Sequence, residues 1–162
     1  MLSSYIDGTA IYGLDSVRSN ALRSFSGGAL LTSSGIAAVA SAGLTSRTYL
    51  PLSTTDATCT ACYTYNNCTT KNTIYNCFLG GEWRTSENLA LTSIQTLFNR
   101  EHNRIAATLA SLNPTWSDET IYQQTRRIVI AELQDIVYGE FVPLINGSSA
   151  LSPLSSGYYT GE

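Results

Sequence analysis

The chain has few charged residues, one histidine and no cluster of lysine and arginine. Only 13% of its 162 residues are charged, where about a quarter is usual for a soluble domain, and the formal net charge is −3. Proteins that bind nucleic acid present basic patches, so we expect no nucleic-acid partner. The shortage of charge also indicates that part of the surface is buried against something else.

Long apolar runs are missing as well. The most apolar stretch, GALLTSSGIAAVASAG, is broken by Ser and Gly and is shorter than the roughly 20 residues that a membrane-spanning helix needs. The N-terminal sequence MLSSYIDGTA lacks the basic and apolar regions of a signal peptide. The sequence therefore predicts neither a membrane span nor an export signal within the chain.

The cysteines nevertheless indicate an exported protein. All four lie close together, at Cys59, Cys62, Cys68 and Cys77. Two N-x-S/T sequons occur, at Asn67 and Asn146. An even cysteine count beside sequons favours an extracellular or secretory-pathway protein with disulfides over a four-cysteine metal site. Because an exported composition without an export signal is unusual, we expect the chain to lack its natural beginning.

The pattern along the chain predicts four regions. Residues 1–25 hold an extended loop and a short helix, capped by Asp15 or Ser16. Residues 26–79 are rich in Gly, Ser and Cys and are typical of loops. Residues 80–144 carry two long helical patterns, and 145–162 form a tail punctuated by Gly, Ser and Pro.

The first long helix is predicted from apolar residues spaced by three and four. Its buried face is predicted to contain Leu91, Ile94, Phe98, His102, Ile105 and Leu109. The sequence Leu-Asn-Pro at 112–114 should end it, because a residue before proline avoids the helical conformation.

The second long helix should begin at Ser117, whose hydroxyl can cap it, with acidic residues 118 and 119 at the positive end of the helix dipole. Its inner face is predicted to contain Tyr122, Thr125, Val129, Leu133 and Ile136. We expect it to reach about Tyr138 and to be terminated by Gly139 and Pro143. The fold class is therefore mainly α, with two long helices and long disulfide-containing loops.

His102 lies on the apolar face between Phe98 and Ile105, so we predict a buried structural residue. With no second histidine, a zinc site of the two-histidine type is excluded. A serine hydrolase is disfavoured too, because no G-x-S-x-G motif occurs and a triad would have to recruit this buried histidine.

Two further groups are ambiguous from spacing alone. Ser3, Tyr5, Asp7 and Thr9 alternate and carry oxygen donors of the kind that calcium prefers, but a solvated turn is the simpler interpretation. Arg84 and Glu87 precede the first long helix, and spacing favours a capping role for Ser86 or Glu87 with a surface ion pair for Arg84.

Longer motifs resemble the animal-type haem peroxidases, the family of the leukocyte and thyroid enzymes and of peroxidasin. YIDGTAIYG is similar to the calcium-loop motif of that family, and CFLGGEWRTSE to its arginine segment. The helix pair from residue 91 onward is similar almost throughout. Its most specific part is Arg-Glu-His-Asn-Arg at 100–104, followed by Leu-Asn-Pro and a tryptophan.

The resemblance implies a haem b cofactor, hydrogen peroxide as oxidant and a halide or small organic electron donor. Arg84 matches the distal arginine beside the peroxide-binding face, and its permanent charge suits the stabilisation of developing negative charge. Glu87 matches the carboxylate that many members join to haem as an ester. His102 matches a helix histidine without a direct catalytic role.

The same resemblance assigns calcium ligands and a disulfide. Ser3, Tyr5, Asp7 and Thr9 match calcium ligands, Tyr5 through its carbonyl, and Cys68 and Cys77 match a disulfide just before the arginine segment. Cys59 and Cys62 have no counterpart in the family pattern.

The sequence differs from the family pattern at positions in and around the haem site. The distal histidine and the proximal histidine that ligates iron match no residue of this chain, and Glu82 stands where the family usually has aspartate. Asn88 follows Glu87, so the sulfonium link of the leukocyte enzyme is excluded. We therefore expect the central fragment of a peroxidase domain, inactive alone and completed by the rest of that domain. The alternative is a non-catalytic extracellular adhesion or matrix module derived from a peroxidase.

Overall fold

A computed structural model describes residues 3–34, 47–52 and 77–147. Five α-helices follow one another in these ranges, at Thr9–Tyr12 (α1), Ser16–Leu22 (α2), Leu89–Leu112 (α3), Asp118–Asp135 (α4) and Val142–Asn146 (α5). A π-helical segment, Ile136–Phe141, joins α4 to α5. Extended backbone in the described part is limited to isolated bridges such as Arg23 with Leu30. The mainly α class is confirmed.

Helices α3 and α4 pack against each other, and α1 packs against both α2 and α3. The five residues between α3 and α4 form a tight connection, in which the Asn113 amide donates to the Leu109 carbonyl (2.9 Å) and the Trp116 amide to the Asn113 carbonyl (3.0 Å). A connection this short makes the two long helices antiparallel neighbours. The core that they share contains Ile11, Tyr12, Leu22, Leu30, Ile105, Tyr122 and Val129.

Most of the predicted helix boundaries are confirmed. Asp15 caps α2 by accepting from the Arg18 amide (2.8 Å). Ser117 caps α4 by accepting from the Thr120 amide (3.2 Å), and α3 ends at Leu112 as predicted. These signals are local in sequence, so they could be identified without the tertiary structure.

The predicted end of the second helix is wrong. The chain does not leave the helix near Tyr138 but continues through the π-helical segment into α5. Pro143 lies in the first turn of α5 and does not end the helical path. Gly139 lies inside the π-helical segment, which absorbs one extra residue per turn instead of ending the helix.

The buried faces differ from prediction at two isoleucines. Ile94 and Ile136 are 47% and 44% exposed. In the first half of α3 the buried positions are instead polar, Gln95, Thr96 and Asn99. Their side-chain hydrogen bonds explain why: Nδ2 of Asn99, for example, donates to the Leu31 carbonyl (3.3 Å).

None of the helices in the described ranges is long and apolar enough to cross a membrane.

Candidate functional site

The residues from Gly80 to Asn88, here called the arginine segment, lie against α1 and α2. The Gly81 amide donates to the Ala10 carbonyl (3.0 Å), and the Arg18 Nε donates to the Gly80 carbonyl (2.8 Å). Both glycines are close-packed: a Cβ on Gly80 would lie 2.1 Å from Gln95 Oε1, and one on Gly81 2.4 Å from the Thr9 carbonyl oxygen. The two glycines therefore let the segment dock directly on its neighbours.

Replacing Gly81 with alanine should lower the free energy of unfolding by about 1–3 kcal/mol, since the new methyl group would overlap backbone atoms of α1 that cannot rotate away. The measurement is urea unfolding of the full-length protein, meaning the longest natural polypeptide that contains this chain. Gly139→Ala is the matched control, because its Cβ would meet only Asp135 Oδ1 at 3.6 Å. Equal stability of the two variants would contradict the close packing.

Arg84 is held by a carboxylate two residues away. Its Nη2 and Nε atoms both donate to Glu82 Oε2, at 2.7 and 3.0 Å. The Arg84 side chain is 49% exposed, whereas that of Glu82 is 5% exposed. The predicted ion pair of Arg84 thus exists, but it joins a half-exposed cation to a buried anion and is not a pair of two surface groups.

The alternative capping role of Ser86 or Glu87 is wrong. Asn88 caps α3 by accepting from the Leu91 amide (3.0 Å). The Ser86 hydroxyl instead accepts from the Phe78 amide (2.9 Å). The Glu87 side chain is exposed, and its amide closes a turn on the Arg84 carbonyl (2.9 Å). Arg84 and Glu87 thus occupy one tight turn at the start of α3.

Gln95 supports this turn from α3, and the sequence pattern gave no sign of it. Its Oε1 accepts from the Thr85 hydroxyl (2.8 Å), and its Nε2 lies 3.5 Å from Glu82 Oε1. Both Thr85 and Gln95 are buried. From sequence alone, a polar residue within a helix is predicted to be exposed to solvent. The burial of Gln95 is evident only from its contacts in the folded structure.

His102 is fully buried, as predicted. Its Nε2 lies 2.8 Å from the Gly28 carbonyl and its Nδ1 2.9 Å from the Tyr12 hydroxyl. Because a carbonyl can only accept, Nε2 carries the proton and Nδ1 accepts from Tyr12. Burial lowers the pKa of His102 to about 4, against the opposing effect of the Gly28 hydrogen bond and with help from the Arg23 cation. The ring is therefore neutral at pH 7, and both of its nitrogens form hydrogen bonds within the protein.

The predicted calcium loop brings three oxygen-bearing side chains together. Asp7 Oδ1 accepts from the Thr9 amide (3.1 Å) and from the Thr9 hydroxyl, while Ser3 Oγ accepts from the Tyr5 amide (3.1 Å). Burial acts to raise the pKa of the Asp7 carboxyl, but hydrogen bonds from Thr9 and Ser3 outweigh it and the pKa is lowered. The Tyr5 side chain is exposed, so only its backbone could join the group.

In the described ranges no group of three or more His, Cys, Asp or Glu side chains is placed to hold a metal ion. A calcium site at Ser3, Asp7 and Thr9 would depend on hydroxyl and carbonyl oxygens around a single carboxylate. That donor set fits part of a calcium shell, which takes six to eight oxygens.

Two other predictions concern modification. Cys77 is disulfide-bonded, and its predicted partner Cys68 lies outside the described residues, as do Cys59 and Cys62. Asn146 is exposed at the end of α5, whereas the other sequon, at residue 67, lies outside the described residues.

The described residues fit one wall of a haem site and not the ligation of its iron. Arg84 and Glu87 supply an exposed cation and carboxylate, and Trp83 and Leu89 beside them expose apolar surface that a porphyrin could cover. His102 and Cys77 are the only described residues with the usual nitrogen or thiolate donors for haem iron, and both are engaged elsewhere.

Comparison with known proteins shows which family the sequence matches. A family profile described as "Animal haem peroxidase" matches residues 1–161. The chain is 35% identical over 162 residues to the chorion peroxidase of Drosophila melanogaster, covering 97% of this chain and 18% of that protein. It is 39% identical over 160 residues to the human peroxidasin homolog, covering 99% of this chain and 10% of that protein.

A solved structure has the same fold. Peroxidase A from Dictyostelium discoideum superposes with a TM-score of 0.70 at 33% identity, over 88% of this chain and 25% of that one. The chain thus spans between a tenth and a quarter of the length of these three proteins.

Proposed function

The chain belongs to the animal haem peroxidase family, and from this premise we propose that it forms the arginine-bearing wall of a haem site in a protein that reduces hydrogen peroxide. The observation that carries the proposal is the position of Arg84, half exposed in a turn that also presents Glu87. A core arginine would be covered, and a purely surface arginine would not be paired with a buried carboxylate.

Arg84 would act on bound peroxide through its charge. A guanidinium stays protonated throughout the physiological range, so it can donate hydrogen bonds to the peroxide oxygens and stabilise negative charge as the O–O bond weakens. Because Arg84 is held by Glu82 in advance, little reorganisation is needed when peroxide binds.

Glu87 would hold haem b, through its carboxylate and as an ester in the mature protein. The exposed position of its side chain, one turn from Arg84, supports this role. When bound, haem supplies the redox chemistry that moves electrons from a donor to peroxide, and the donor we propose is a halide or a small organic molecule. The axial ligand and the acid–base group would come from outside the described residues.

Calcium would bind at Ser3, Asp7 and Thr9, with the carbonyl of Tyr5. The hydrogen bonds that gather these oxygens around the Asp7 carboxylate support the proposal. Since Gly8 and Thr9 lead directly into α1, on which the arginine segment docks, calcium would also stabilise the base of the Arg84 site.

We further propose an extracellular or secretory-pathway location. The disulfide at Cys77 and the exposed sequon at Asn146 support an oxidising compartment. Leu112 and Leu144 are 71% and 85% exposed, which supports burial of these surfaces against the rest of a peroxidase domain.

The test is to purify the full-length protein and to measure its haem and calcium content together with peroxide-dependent oxidation of iodide, bromide and a phenol. We expect haem, calcium and turnover of at least one donor. The 162-residue chain alone, mixed with haem, should show no turnover above that of free haem. A full-length protein that binds no haem and consumes no peroxide would overturn the proposal and favour an adhesion or matrix module.

A further inference from the structure

Glu82 is an unusual partner for an exposed arginine, because its own side chain is almost entirely buried. Two nitrogens of the Arg84 guanidinium, Nε and Nη2, donate to the single oxygen Oε2. An ionised carboxylate removed from water needs a compensating charge, and among the described contacts Arg84 is the only cation that contacts this carboxylate. Breaking the ion pair would leave the buried Glu82 carboxylate without a cation, so the pair is strongly favoured.

The backbone and the second carboxylate oxygen of Glu82 are fixed as well. Its carbonyl oxygen lies 2.5 Å from the Thr85 hydroxyl oxygen and accepts weakly from Arg18 Nη2 (3.4 Å). Its Oε1 lies 3.5 Å from the Gln95 Nε2. Glu82 thus joins α2, α3 and the arginine segment, and its carboxylate occupies a position that these elements define.

We propose that Glu82 is a positioning residue that fixes the guanidinium of Arg84 at the peroxide-binding wall. The inference rests on the proposed function, in which Arg84 faces peroxide. A guanidinium has five donors in a planar fork, and binding through Nε and Nη2 sets the orientation of that plane. The same contact leaves Nη1 outside the pair, so one edge of the fork is directed away from Glu82 and can meet a ligand.

The first test measures the position of Arg84 without using activity. The haem-loaded full-length protein is treated with the arginine reagent phenylglyoxal, and mass spectrometry gives the labelling rate of each arginine. Glu82→Gln should raise the labelling rate of Arg84 several-fold, and Glu82→Asp, which keeps the carboxylate, should restore most of the protection. Glu101→Gln is the matched control: it breaks an exposed pair with Arg104 on α3, so it should change only Arg104.

The second test measures the consequence for the reaction. Glu82→Gln should lower the second-order rate constant for peroxide consumption about 10- to 100-fold, since small misplacements of a reacting group have effects of this size, and should leave the KM of the electron donor unchanged. Glu82→Asp should recover the rate. Melting temperatures of all variants identify any variant that fails to fold, and in that case Glu82→Asp alone still reports the labelling rate.

The two tests separate failure of this inference from failure of the proposed function. If Arg84 labelling is unchanged in Glu82→Gln, or if Glu82→Asp behaves like Glu82→Gln in both tests, Glu82 does not position Arg84. If labelling rises as expected but substitution of Arg84 itself leaves peroxide consumption unchanged, the pair exists and the proposed role of Arg84 is wrong.

Discussion

Arg84→Leu should lower the rate constant for peroxide consumption of the haem-loaded full-length protein by about 100- to 1,000-fold, the usual effect of removing one donor that stabilises developing negative charge. It should also lower the free energy of unfolding by about 3–5 kcal/mol, because Glu82 would remain buried without its cation. Stopped-flow measurement of peroxide consumption and urea unfolding of the same preparations give the two quantities.

A double variant separates these effects. Glu82→Gln combined with Arg84→Leu removes the unpaired charge, so it should recover much of the stability and none of the activity. Arg104→Leu is the control, since among the residues that the structure describes this exposed arginine forms its ion pair with Glu101, three residues earlier on α3, and its loss should change neither quantity appreciably. If the double variant regains peroxide consumption along with stability, Arg84 has only a structural role.

The long helices could be predicted because their signals are local. Ser117 with the acidic first turn of α4, and the Leu-Asn-Pro end of α3, work through neighbouring residues and do not depend on the rest of the fold. The burial of His102 could be predicted for the same reason, since its apolar neighbours on the helix face indicate the core.

The support of Arg84 could not be predicted in this way. Glu82 and Gln95 are thirteen residues apart and meet only when the arginine segment docks on α3. Periodicity also placed Ile94 inside, whereas the structure buries Gln95 because it bonds the Thr85 hydroxyl. Polar contacts that stabilise a buried turn have no periodic signature, so helix-face analysis misassigns such positions.

The same limit applies to the Arg-Glu-His-Asn-Arg motif at the centre of α3. Three of its side chains, those of Arg100, His102 and Asn103, bond backbone groups of residues outside the helix. Asn103 accepts from the Leu30 amide (2.7 Å) and donates to the Leu30 carbonyl (3.0 Å), and the Arg100 guanidinium donates to the Thr48 carbonyl. Within the described residues these side chains therefore fix backbone beside α3, and none of the contacts involves Arg84.

His102 should make stability depend on pH in a defined window. The ring is neutral when folded, with a pKa of about 4, whereas in the unfolded chain a histidine titrates near 6.5. As pH falls from about 6.5 to 4, His102 binds a proton in the unfolded state but stays neutral in the folded state. The free energy of unfolding therefore decreases. The loss should reach about 3 kcal/mol and stop below the folded pKa, where both states are protonated.

The measurement is urea unfolding of the haem-free full-length protein between pH 7 and pH 4, with His102→Gln as the reference. Glutamine does not titrate but can still donate to Gly28 and accept from Tyr12, so the difference between the two proteins isolates the histidine. Around the ring, burial raises the pKa of Tyr12. Burial acts to lower the pKa of Arg23, but its hydrogen bonds to Glu119 and Asp118 outweigh that effect and the pKa is raised, so neither group titrates in this window. The pKa of Glu119, which pairs with Arg23, is lowered by hydrogen bonds from Gln123 and Arg23, and its titration is common to both proteins.

If wild type and His102→Gln lose stability in parallel, the histidine is charged or accessible in the folded state, and its assignment as a structural core residue is wrong.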